Sequence, residues 1–145
     1  MNTAFKIVEH CLRVKIKSLA SESRIIRDEM ERCKKSRGWD SRHYDHLRDH
    51  RRGVVRREAR KALLALAAIR GTPYLKVESR VRKENELGSV FQNSSFKDIH
   101  DQIKGMIPWY CSSSDRAELL KSVNDWINDN FNVDAVAMRR SKHVA

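Results

Sequence analysis

Arg48, Arg51, Arg52, Arg56, Arg57, Arg60 and Lys61 fall within the fourteen residues 48–61, opposed there only by Asp49 and Glu58. A guanidinium is always charged and presents its donors in a planar fork, so its natural ligand is a phosphate group. Positions 48, 52 and 56, and again 57, 60 and 61, recur at helical neighbour spacing, which gathers them into a stripe if the segment is a helix. A charge run standing alone is usually a solvated face. Here the whole balance leans the same way: 30 Lys and Arg against 19 Asp and Glu give a net charge of +11 over 145 residues. The excess is local, at +13 for residues 1–83 and −2 for 84–145. The residues expected to contact phosphate are therefore Arg24, Arg48, Arg52, Arg56, Arg57, Arg60 and Lys61, and the expected partner is nucleic acid, as duplex DNA or structured RNA. Unpaired bases would call for several stacking rings, whereas only Trp39, Tyr44 and Tyr74 stand near the basic region.

Other chemistries find less support. His43, His46 and His50 lie at i, i+3 and i+7, and His46 and His50 are one helical turn apart. They would make half of a metal site, but Leu47 stands where a metalloprotease motif carries its glutamate, and no third ligand is indicated. The expectation is a polar helix face, with no metal and no cofactor. No carboxylates fall in a spacing that singles them out as magnesium ligands, there is no glycine-rich phosphate loop, and "SSSD" at 112–115 reads as a helix cap. A non-enzymatic role follows, with a nuclease ranked last. Cys11, Cys33 and Cys111 are odd in number and irregular in spacing, which argues against a disulfide framework and for a reducing, cytoplasmic compartment. The first twenty residues are interrupted by Lys6, Glu9, Arg13, Lys15 and Lys17, so neither a signal peptide nor a membrane span is expected.

The elements that must carry these side chains are helical. With 40% apolar residues, five Gly and two Pro, the chain reads as a single all-α domain over 1–145. Phe5, Val8, Leu12, Ile16, Leu19, Ile26, Met30 and Cys33 mark one face of a long helix over 3–36. A second helical stretch over 42–70 turns Tyr44, Leu47, Val54, Val55, Ala62, Leu66 and Ile69 to the core, bent or split at Gly53. The two pair as an antiparallel basic hairpin over 1–70. A smaller cluster follows over 71–132, with helices at 73–84, 95–106 and 114–131, and a basic tail over 133–145. Ser95 with Asp98 offers a capping box, and one of Ser112 to Ser114 caps the last helix. Trp109, Trp126, Ile127 and Phe131 are expected in the core.

Ala67, Gly71 and Val77 occupy the positions of a helix-turn-helix corner. On that reading 61–70 and 73–83 are the first two helices and Ser95 to Met106 the reading helix, exposing Lys97, His100, Asp101 and Lys104. Against it, the connection before Ser95 is about ten residues longer than such a module uses, and acids on the reading helix equal the bases. A helix C-cap at Gly71 followed by Pro73 is the better reading.

"ESRIIRDE" at 22–29, "HRRGVVRREAR" at 50–60 and "IRGTPYLKVE" at 69–78 together resemble small, basic, uncharacterised proteins of phages and mobile elements. The resemblance covers about the first half of the chain. It implies either a nucleic-acid-binding accessory protein or a protein inhibitor docking on a host nucleic-acid machine or defence complex, such as a CRISPR effector. The length of the first helix also leaves room for a homodimer.

Overall fold

The computed structural model describes residues 2–36, 41–74 and 96–131, and every regular element among them is helical. In chain order these are α1 (Thr3–Lys35), α2 (Ser41–His50), a π-helical turn (Arg51–Val55), α3 (Arg56–Arg70), α4 (Phe96–Met106) and α5 (Ser113–Phe131). No described helix is long and apolar enough to cross a membrane.

The long first helix forms as its period requires. Asn2 caps it, its side chain accepting from the Phe5 N–H at 3.0 Å. Val8, Leu12, Ile26 and Met30 are buried along one face, with Phe5, Ile16 and Leu19 partly covered. Arg32, Lys34 and Lys35 fill its last turn, where cations suit the helix dipole. The returning arm is helical from Ser41 to Arg70, and the break expected at Gly53 takes the form of the π turn, in which the Arg56 N–H donates to the Arg51 carbonyl, five residues back.

Three cross-hairpin contacts between polar side chains mark the register of the two arms. Lys15 Nζ stands 3.6 Å from Glu58, His50 Nε2 3.7 Å from Glu22, and His43 Nε2 3.9 Å from Glu29. Near the hairpin's open end, Arg70 Nε reaches Glu9 at 3.9 Å. Between them Ser23, fully buried, receives Arg51 from the opposite arm.

The core is in two pieces. The larger joins Ala4, Val8 and Leu12 of α1 to the alanine-rich α3, to Ile99, Ile103 and Ile107 around α4, and to Leu119, Val123 and Trp126 of α5. The smaller holds Ile26, Met30 and Val55, with Tyr44, Leu47 and Leu19 against it. Val54, expected inward, is instead half exposed while Val55 is buried. Successive residues on a helix point about 100° apart, and the π turn settles which of the two faces α1.

Gly71 ends α3 in the left-handed conformation at φ 68°, and both its own N–H and that of Thr72 return to the Ala67 carbonyl. The chain beyond it is tied to α5: Trp126 Nε1 donates to Thr72 O at 2.8 Å, and the Tyr74 N–H donates to Asn130 Oδ1 at 3.1 Å. This is the C-cap reading of Gly71. Val77, the helix expected at 73–83 beyond Tyr74, the Ser95 cap and the basic tail lie outside the described residues. At the other end of α5, Ser112 is the cap, its hydroxyl accepting from the Asp115 N–H at 3.1 Å. Asp115 in turn faces the start of α1, its carboxylate 3.3 Å from the Thr3 N–H and its carbonyl accepting from Asn2 Nδ2 at 2.9 Å.

Candidate nucleic-acid interface

The basic stripe divides into residues that face solvent and residues the fold has claimed. Arg52 and Arg57, on the π turn and the first turn of α3, are exposed, as is Arg24 on α1, and none of the three meets an acidic partner among the described residues. The acids nearest in sequence are already engaged. Arg48 lies between Asp45 and Asp49, at 3.4 Å from each. Glu58 holds Lys15 with one oxygen and Lys61 with the other, at 3.6 and 3.7 Å. Lys61 also reaches Asp98 of α4 at 3.8 Å, which leaves its side chain 21% exposed. Arg56 is half-buried.

Arg60 departs from the expectation. It is 8% exposed, packed within the bundle, and so is removed from the phosphate-contacting set. Burial, and then the neighbouring charge of Arg57, pull its guanidinium below its usual pKa. The cause lies in the packing of α3, which contacts α1 on one side and α4 and α5 on the other. A helix flanked twice buries a wider arc than an outer hairpin arm, and the arginine stem fills part of it.

Arg51, counted in the basic run but not among the expected contacts, is a structural residue. Its Nε donates to both the Ser23 carbonyl, at 3.1 Å, and the Ser23 hydroxyl, at 3.0 Å. Tyr44, one of the rings near the basic region, carries Lys34 Nζ 5.3 Å from its centroid, a cation–π contact that holds α2 to the end of α1. The paired histidines expected as a weak metal site part company: His50 turns to Glu22 and His46 is exposed.

On α4, Ile99 and Ile103 face inward, and Asp101 and Lys104 are exposed. His100 sits 3.8 Å from Asp101. The outward face of this helix is thus of mixed sign, as its sequence indicated.

One aromatic residue, Trp109, departs from the expected core. Trp126 is in the core and Ile127 packs against it, but Trp109 is 89% exposed and Tyr110 64% exposed. Their rings meet edge to face with centroids 5.9 Å apart, on the short connection between α4 and α5. Pro108 follows α4 there, and its carbonyl accepts from Arg116 at 3.2 Å. No protein-family model, curated protein or solved structure matches the chain.

Proposed function

We propose that this protein is a non-enzymatic nucleic-acid-binding accessory protein that contacts phosphates through Arg24, Arg52 and Arg57, with Arg48 and Arg56 beside them. The observation that carries the reading is the state of Arg52 and Arg57: both are exposed without an acidic partner among the described residues, while nearby Asp45, Asp49 and Glu58 are spent on other cations. Unneutralised guanidiniums on a rigid helical arm, in a half of the chain carrying +13, attract a polyanion by counterion release. Binding of this kind reads charge and shape more than sequence, and weakens steeply with salt. Fluorescence anisotropy against labelled duplex DNA, single-stranded DNA and hairpin RNA, at low and near-physiological salt, tests it. Salt-sensitive binding supports the reading, and no binding at low salt overturns it.

Trp109 and Tyr110 favour a second reading, in which the protein docks on a nucleic-acid-processing complex and blocks it. Exposed tryptophan and tyrosine side chains supply much of the energy of protein interfaces. Such docking survives added salt better than phosphate contact does. A pull-down that depends on Trp109 and persists at raised salt would support this alternative.

A further inference from the structure

Glu29 and Cys33 stand one helical turn apart on α1, and His43 faces them from the first turn of α2. One ligand atom from each of the three, a carboxylate oxygen, a thiol sulfur and an imidazole nitrogen, lies within 4.8 Å of the other two. Among the described residues this is where three ligating side chains of the His, Cys, Asp and Glu types converge. The Glu29 carboxylate is also already turned for the purpose. Its Oε2 is held by Arg32 at 2.9 Å, while its Oε1 points at His43 Nε2, 3.9 Å away.

From this convergence we propose that Glu29, Cys33 and His43 form a zinc-binding site that clasps the end of α1 to the start of α2. The donor set selects the ion. Thiolate and imidazole favour zinc over magnesium or calcium, which take oxygen ligands. Bond lengths of about 2.0–2.3 Å in a tetrahedral site place ligand atoms roughly 3.5 Å apart. Closing from 4.8 Å or less takes side-chain rotation of about an ångström at half-buried Glu29 and Cys33 and exposed His43. Three protein ligands leave the fourth position to water. On binding, the Cys33 thiol gives up its proton to solvent and its sulfur donates the electron pair to the metal. Arg32 supplies the outer contact that ligating carboxylates ordinarily have. The site is separate from the arginines proposed to meet phosphate, and it stands or falls independently of that reading.

Cobalt(II) is the probe, because a thiolate bound to it gives a charge-transfer absorption that carboxylate and imidazole do not. The full chain, stripped with chelator and kept reduced, is titrated with cobalt and then with zinc. The expected result is a charge-transfer band at one equivalent, displaced by zinc and unaffected by magnesium. The band persists in Cys11→Ser and Cys111→Ser and is lost in Cys33→Ser. His43→Ala weakens zinc binding at least tenfold, and Arg32→Ala about tenfold. Circular dichroism confirms that each variant is folded. The proposal is overturned if the wild type gives no band, or if the band survives Cys33→Ser.

Discussion

Arg51 crosses the hairpin to a serine that the solvent does not reach: its Nε donates to the carbonyl of Ser23 at 3.1 Å and to the hydroxyl at 3.0 Å. The contact gives the buried Ser23 hydroxyl a charged donor from the other arm and adds a second bond to a carbonyl that already serves the α1 ladder. It also places the first residue of the π turn.

Replacing Arg51 with Ala should therefore destabilise the fold by about 1–3 kcal/mol, the range for hydrogen bonds to charged groups and for buried polar atoms left behind. Urea unfolding followed by circular dichroism measures it. Arg52→Ala, one residue further, should stay within about 0.5 kcal/mol of wild type because that side chain is exposed.

Gly53 and Gly71 should respond in opposite directions to alanine. A Cβ at Gly53 meets nothing within 4 Å, and the residue lies in a helical turn without positive φ, so Gly53→Ala should stabilise by about 0.5–1 kcal/mol. Gly71 sits at φ 68°, where a side chain is strained, so Gly71→Ala should cost about 1 kcal/mol despite equally open space. Thermal melts of the two variants side by side decide the matter.

Charge reversal separates binding residues from packing residues. Arg24→Glu, Arg52→Glu and Arg57→Glu should each weaken binding to duplex DNA or hairpin RNA and lower the salt slope by about one, with the melting curve nearly unchanged. Arg60→Glu should instead destabilise the protein, by about 1–3 kcal/mol, because it replaces a packed arginine stem in the bundle with a shorter charged side chain. Anisotropy and circular dichroism on the same samples distinguish the two effects.

The two tryptophans offer a similar contrast. Trp109→Ala should leave stability within about 0.5 kcal/mol. Trp126→Phe should cost about 1–3 kcal/mol, since it leaves the Thr72 carbonyl without its donor and shrinks a core side chain. Denaturant titration checks both.

Much of the scaffold was legible in the residues themselves. Apolar side chains repeated at three and four places, so α1 and its buried face could be read from Val8, Leu12, Ile26 and Met30 directly, as could the Gly71 stop and the serine cap before α5. Small residues left no such mark. Ser23, Ala59, Ala65 and Ala68 are buried yet carry little apolar signal. The burial of Arg60 escapes the sequence for a related reason: helical spacing tells which residues share a face, but not how many neighbours cover the helix. The exposure of Trp109 escapes it because apolar character alone does not register a connection too short to fold back over its own ring. The grouping of Glu29, Cys33 and His43 draws on two helices, and only its i, i+4 half exists as a spacing along the chain.

The ladder of cross-hairpin contacts has an arithmetic of its own. Glu29, Glu22 and Lys15 descend α1 in equal strides of seven, whereas their partners His43, His50 and Glu58 climb the other arm by seven and then by eight. The odd residue falls in the interval that contains the π turn, whose wider loop lets one extra residue pass without rotating the rest of the arm. That turn is a phase spacer. An arm one residue too long for its mate is brought back into step there, and everything beyond it, including the outward aim of Arg57 and the inward aim of Arg60, inherits the correction.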